Sequence, residues 1–356
     1  MQPRGRKQVT AMGGAVVAMA LSVAACSSSS SPSSAIDTAA SATIAAAGST
    51  FQTNFQEAAI SAFKSVDPSI TVNYNPVGSG AGRDDLYANN VLFAGSDSPI
   101  PSDEASDVPA GKTVLYFPVQ IGPVAIAYNL PGIKGLKLDA TVLAQIFQGQ
   151  ITNWGDPAIK ELNPGLGLPN EAITLAVRSD SSGTTQNFSQ YLVDAAGGEW
   201  KLGTSSLIKW PATARKGDGG SGVGQIVKSI PGAIGYVDFS TATGAGLSAA
   251  SIQNSAGNFV APSSAAATAA ATHVTPKSDL TFVTVDQPGA TSYPITYQSW
   301  DLVYEVQPNA NDVKLLQAYL GYLLGQGQSL LHSLNLAPLP ASIDAAARAQ
   351  LSKITS

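Results

Sequence analysis

Three times along this 356-residue chain an apolar stretch runs into a cluster of glycines and hydroxyl residues and then into a segment with helical periodicity. In "AAAGSTFQTNF", Gly48, Ser49, Thr50 and Phe51 lead into phenylalanines at 51, 55 and 63 with Ala59 between them, an apolar stripe of spacing four. In "NYNPVGSGAGRDDL", Gly78, Ser79, Gly80 and Gly82 follow an alternating Ile70, Val72, Tyr74 strand. In "TLAVRSDSSGTTQNFSQYL" a strand delivers Arg178, and Ser182, Gly183 and Thr184 open a helix carrying Phe188, Tyr191 and Leu192. Strands alternating with helices predict an α/β protein, and in such folds ligands gather where strand ends meet helix N-termini. Unpaired N–H groups and the helix dipole there favour an anion, glycine lets the backbone approach it, and Arg178 adds a planar fork for two oxygens. Taken singly, each junction is also what ordinary helix caps and turns look like.

The N-terminus bears on compartment. Arg4, Arg6 and Lys7 precede an apolar run that ends in "VAAC", the pattern of a secretory leader, and the single cysteine, Cys26, follows the small residues Ala24 and Ala25. "VAAC" resembles a bacterial lipobox, which predicts cleavage after residue 25, a lipid-modified Cys26 and anchoring on the extracytoplasmic face of the cell membrane. Residues 26–47, rich in Ser and Ala, read as a flexible tether. Without the leader's three basic residues the body carries 16 basic against 24 acidic side chains, a net −8, which argues against nucleic acid as a partner. About 310 residues of body predict two domains. The long apolar segments 116–129 and 293–306 are the candidates for crossings between them, and the alanine-rich stretch 263–272 reads either as a surface helix or as an insertion.

"AGSTFQTNF", "GSGAGRDD", "GSDSPI", "NWGDPAI", "VRSDSSGTTQNFSQYL" and "LPGAIGYVDF" together resemble, in order and over nearly all of the mature chain, the phosphate-binding protein of bacterial high-affinity phosphate ABC importers. That resemblance implies a type II periplasmic-binding-protein fold, with a dehydrated phosphate held in the cleft between lobe I (48–125 and 292–356) and lobe II (126–291). It carries ligand contacts onto Thr50, Phe51, Ser79, Asp97, Arg178, Ser182, Gly183 and Thr184, with Asp180 orienting Arg178. It further implies a monomeric, non-enzymatic receptor without cofactor or metal, serving an importer of two permease and two ATPase subunits. Where many relatives have "ADGSGTS" this chain has "SDSSGTT", which changes a neighbour and leaves the donors in place.

Asp97 has a chemical logic of its own. An ionised carboxylate only accepts hydrogen bonds, so it repels an anion unless that anion brings a proton. Phosphate near neutral pH has one and sulfate has none, so Asp97 would favour phosphate and penalise sulfate. Without the surrounding resemblance, "GSDSP" reads first as a turn.

Other motifs carry less. "AGKT" (110–113) lacks the earlier glycine of a P-loop, and "SAFK" (61–64) has no partners for a β-lactamase site. "KGDGGSGVGQIV" (216–227) is read as an interlobe or surface loop. His273 and His332 have no partner at metal-ligand spacing, and the four tryptophans read as core or lobe-interface residues. An esterase with Ser79 or Ser182 as nucleophile would need a general base that the sequence does not offer nearby. A receptor for another oxyanion would conflict with Asp97.

Overall fold

The computed structural model describes residues 42–356; the leader, Cys26 and the chain as far as residue 41 lie outside the described residues. The first half opens with strands β1 (Ala42–Gly48), β2 (Ile70–Asn75) and β3 (Phe93–Ser96), with helices α1 (Thr53–Phe63) and α2 (Ser79–Tyr87) between them, and leads into the long strand β4 (Val114–Tyr128). Beyond it come β5 (Lys137–Leu138), α3 (Ala140–Phe147), α4 (Pro157–Leu162), β6 (Thr174–Arg178), α5 (Gly183–Ala195), β7 (Arg215–Gly217), α6 (Gly219–Ser229), β8 (Ala233–Asp238) and α7 (Phe239–Gly244). Short strands β9 (Ser248–Ala249), β10 (Ser251–Gln253) and β11 (Phe259–Val260) and helix α8 (Ser264–Ala271) lead back to β12 (Thr296–Tyr304), after which α9 (Ala310–Leu323) and α10 (Ala341–Gln350) close the chain.

The main sheet runs β2-β1-β3-β12-β4-β8-β6-β7, with β9 beside β4. β4 makes this one sheet out of two halves. Its residues Val114 to Pro123 pair antiparallel with β12, and Val124 to Tyr128 pair antiparallel with β8. Within each half the remaining pairs that approach the site are parallel: β1 with β2 and β3, and β6 with β7 and β8. The expected crossing at 116–129 is therefore a single strand that serves both halves. Within the second segment β12 pairs with β3 and β4, while Ile295, just before it, accepts from the N–H of Val124, where β4 passes to β8. The result is the two-lobed α/β architecture.

Helix faces follow the sequence periodicity. Phe55, Ala59 and Phe63 of α1 are buried, as are Phe188, Tyr191 and Leu192 of α5. Four-residue spacing sets Phe55, Ala59 and Phe63 in one stripe, and burying each phenylalanine contributes about 1.5–3 kcal/mol. No helix among the described residues is long and apolar enough to cross a membrane.

Two sequence expectations change. The tether does not extend to residue 47, because Ala42–Gly48 is a strand near the centre of the first half, with Ile44, Ala46 and Ala47 buried. Its low complexity reflects close approach: a Cβ on Gly48 would stand 2.2 Å from the Gly95 carbonyl oxygen, and one on Gly82 of α2 would stand 2.3 Å from the Gly48 Cα. The alanine-rich stretch is helix α8, capped by Ser263, with Ala266, Ala267, Ala270 and Ala271 buried against β4 and β12, so it belongs to the core rather than to the surface.

Candidate functional site

The loops at the carboxyl ends of the parallel strands bring together most of the residues singled out in sequence. Ser49 follows β1, Ser79 begins α2 after β2, Asp97 follows β3, Arg178 ends β6, Gly219 begins α6 just after β7, and Asp238 ends β8. The starts of α2 and α5 face each other: the Gly80 N–H donates to the Ser181 carbonyl at 3.1 Å, and the Gly183 N–H donates to the Ser79 Oγ at 3.3 Å. A Cβ on Gly183 would stand 2.6 Å from the Asp97 Cβ and 2.7 Å from the Ser79 Oγ, so only glycine lets the two halves approach this closely.

Three of the four predicted hydroxyls, those of Thr50, Ser79 and Ser182, have the same arrangement. The Ser79 Oγ accepts from the N–H groups of Asp97 and Gly183, both at 3.3 Å. The Thr50 Oγ1 accepts from the Gly220 N–H at 3.2 Å, and Ser182 caps α5 by accepting from the Thr185 N–H at 3.2 Å. A hydroxyl whose lone pair is engaged by an N–H keeps its own hydrogen to give. Among the described hydrogen bonds none of these three O–H groups donates.

Arg178, only 3% exposed, grips Asp180 with Nε at 2.7 Å and with Nη2 on the second oxygen. Its Nη1 makes no hydrogen bond among the described groups. Burial opposes the guanidinium charge, but the Asp180 carboxylate outweighs it and holds the Arg178 pKa above its ordinary value. Asp180 is likewise pushed up by burial and pulled below the usual carboxylate range by Arg178 and by the Gly219 N–H, 3.1 Å from its Oδ1. Asp180 therefore aims Arg178 and also ties α6 to the site.

Asp97, 1% exposed, receives two serine hydroxyls: Ser49 Oγ donates to Oδ2 at 2.7 Å and Ser299 Oγ to Oδ1 at 2.6 Å. Both serines are forced to donate. The Phe51 N–H occupies the Ser49 oxygen at 3.1 Å, so the Phe51 N–H is engaged within its own turn. Ser299 is fixed from behind by a chain that starts at a carbonyl. The Trp300 oxygen can only accept, so it takes the Gln52 Nε2 at 3.0 Å, and the same nitrogen donates to Ser299 Oγ at 2.8 Å. The Gln52 Oε1 must then accept from Gln56 Nε2, at 2.9 Å, and the Gln56 Oε1 from the Tyr319 hydroxyl, at 2.7 Å. The series runs from Tyr319 through Gln56, Gln52 and Ser299 to Asp97, and the Gln56 Nε2 also donates to Asp301 at 3.4 Å. Burial raises the Asp97 pKa, while the Ser299 and Ser49 hydrogen bonds and then Arg178 lower it, for a value of about 6. At neutral pH Asp97 is ionised and acts as an acceptor.

Thr184 is buried at the start of α5, beside the Tyr297 hydroxyl. Sequence reasoning passed over Ser49, Ser299, Asp238, Asn187, Gln298 and Tyr297. It also read the glycines at 219 and 220 as a loop, whereas they begin α6 and direct their N–H groups at Asp180 and Thr50. Ser49 lies inside a quoted junction and its hydroxyl was a usable signal. Ser299 and Gln298 sit on a strand far away in sequence, where nothing local marks them.

The sequence of residues 33–326 matches the family model described as a PBP superfamily domain. The chain is 37% identical over 311 residues to "Phosphate-binding protein PstS 3" of Mycobacterium leprae, covering 84% of each chain. It is 35% identical over 285 residues to "Phosphate-binding protein PstS" of Haemophilus influenzae, covering 78% of this chain and 84% of that one. Its fold resembles that of a high-affinity periplasmic phosphate-binding protein (PfluDING) solved with phosphate at pH 8.5, with a TM-score of 0.71 at 22% identity over 86% of this chain and 93% of that one. A putative phosphate ABC transporter substrate-binding protein from Clostridium perfringens, solved with phosphate, gives a TM-score of 0.61 at 17% identity, over 84% of this chain and 100% of that one. By sequence and by fold, this chain belongs to the PBP superfamily and, within it, to the family of PstS phosphate-binding proteins.

Proposed function

We propose that this protein captures inorganic phosphate outside the cell membrane and delivers it to the permease of an ABC importer. One observation carries the reading. Three hydroxyls that accept from N–H groups, on Thr50, Ser79 and Ser182, are left with hydrogens to give, and they lie on the strand-end loops that also carry Arg178 and a carboxylate, Asp97, that can only accept. A tetrahedral oxyanion takes the donors, and phosphate alone among the common ones brings a proton for Asp97.

On this reading Thr50, Phe51, Ser79, Asp97, Arg178, Ser182, Gly183 and Thr184 hold the ligand. Asp180 orients Arg178. The Phe51 N–H, bonded here to Ser49, turns to the ligand when the Ser49 side chain yields it. Lobe I would comprise 42–125 and 292–356 and lobe II 126–291, hinged at β4 and closing on the anion. The protein would be a monomer anchored by a lipid on Cys26, serving two permease and two ATPase subunits. It would turn nothing over, as expected of a binding protein of this family; among the described hydrogen bonds the Ser79 and Ser182 oxygens accept from N–H groups.

The test is a calorimetric titration of phosphate-stripped protein with phosphate, sulfate and a phosphomonoester at pH 7.5. Tight binding of phosphate alone is expected. Sulfate binding of equal strength would remove the specificity argument, and ester turnover would overturn the receptor reading.

A further inference from the structure

We propose that Tyr297 is a further ligand residue of the cleft, its phenol O–H donating to the bound tetrahedral anion. The inference rests on the phosphate reading above and adds a donor that neither the junction motifs nor the family resemblance supplies.

The Tyr297 side chain is fully buried, and its hydroxyl makes no hydrogen bond of ordinary geometry with any described group, although the Thr184 side chain lies close enough to act on it. Burying a hydroxyl without a partner is costly, so an orphaned one in a polar cleft marks a partner that comes from elsewhere. The ring itself is held firmly. It stacks on Phe51 with centroids 4.1 Å apart and 28° between planes. Tyr297 pairs with Gly122 of β4, where a side chain would collide with the Phe51 ring at 2.8 Å, so the glycine makes room for the stack.

Direction follows from the strand. Residues two apart on β12 share a face, and Ser299, two residues on, donates to Asp97 on that face. Gln298 between them points the other way, to the Asp97 carbonyl and Asn187. The charges that act on the phenol come from both halves of the cleft: Asp97 after β3, Asp238 at the end of β8 and Arg178 at the end of β6, with the Thr184 hydroxyl beside it. Burial first, then Asp97 and Asp238, hold its pKa well above the ordinary tyrosine value, so it keeps its proton and remains a donor. An anion brought between Arg178 and Thr184 gives that donor an acceptor, and the stack on Phe51 means that no side-chain freedom is lost on binding.

The experiment compares wild-type protein with Tyr297→Phe by calorimetric titration with inorganic phosphate, and by thermal melting with and without phosphate. Removing only the hydroxyl should weaken phosphate binding by about tenfold or more, as for loss of a hydrogen bond to a charged group. The ligand-free melting temperature should be unchanged or higher, because the hydroxyl has no partner to lose. Unchanged affinity overturns the proposal, and so does an affinity loss accompanied by a lower ligand-free melting temperature, which would assign Tyr297 to packing. If wild-type protein binds no phosphate, the functional reading fails first; if wild-type binds and the variant binds equally, only Tyr297 is wrong.

Discussion

Ser299 Oγ lies 2.6 Å from Asp97 Oδ1, although 202 residues separate the two in sequence. The hydroxyl donates to a carboxylate that burial would otherwise neutralise, and it is forced to donate by the Gln52 amide behind it.

Ser299→Ala should therefore raise the Asp97 pKa above its value of about 6. A protonated Asp97 is a donor and ceases to penalise sulfate. In wild-type protein, sulfate competition with phosphate should grow as pH falls through about 6. In Ser299→Ala the same change should appear at higher pH, with the sulfate-to-phosphate ratio at pH 7 raised about tenfold, as for loss of a hydrogen bond to a charged group. Competition titrations from pH 5 to 8 check this; superimposable profiles would refute it.

Gly183→Ala places a methyl group against Asp97 and Ser79 only when the two halves are together. Phosphate affinity should fall about 10- to 100-fold, in line with an overpacking cost of 1–3 kcal/mol, while the ligand-free melting temperature stays the same. Small-angle scattering should show that the variant fails to compact on adding phosphate. A variant that closes and binds normally would show that the contact is not tight.

Arg178→Ala removes the fork and leaves Asp180 without its main partner. Truncating one member of a buried charge pair costs on the order of 2–5 kcal/mol, and phosphate affinity should drop accordingly. Asp180→Asn should cost less, because the fork remains and only its aim loosens. Equal losses in the two variants would show that Asp180 does more than orient Arg178.

Asp301 lies fully buried at the far end of the glutamine chain, and burial raises its pKa to about 8, against weaker lowering by Gln52 and Gln56. The folded protein thus keeps a proton that the unfolded chain releases near pH 4, a difference of the kind that couples stability to pH. This contribution is fully present below about pH 4 and is lost as pH rises towards about 8. Asp301→Asn, neutral at every pH, should lose less stability over that window, so its melting-temperature gain over wild type should be largest at pH 8 and smallest at pH 5. Parallel curves would show that Asp301 is ionised in the folded state at neutral pH.

The sequence by itself determined the local chemistry: strands ending in glycine and hydroxyl residues, the Ser182 cap, the Arg178 and Asp180 pair two residues apart, and the α/β alternation that sets these loops at strand ends. These were legible because caps, turns and periodicity act over a few residues. Strand β1 was not, since alanine and glycine chosen for close backbone approach look like a linker when read alone. Nor were the glycines that begin α6, because a glycine pair signals flexibility until the Asp180 and Thr50 oxygens that fix it are in view. Only the tertiary structure decided what stands behind Asp97. The pairing of β12 with β3 and β4 brings Ser299, Gln298 and Tyr297 to a carboxylate some two hundred residues away, and such long-range pairing leaves no periodic trace in the chain.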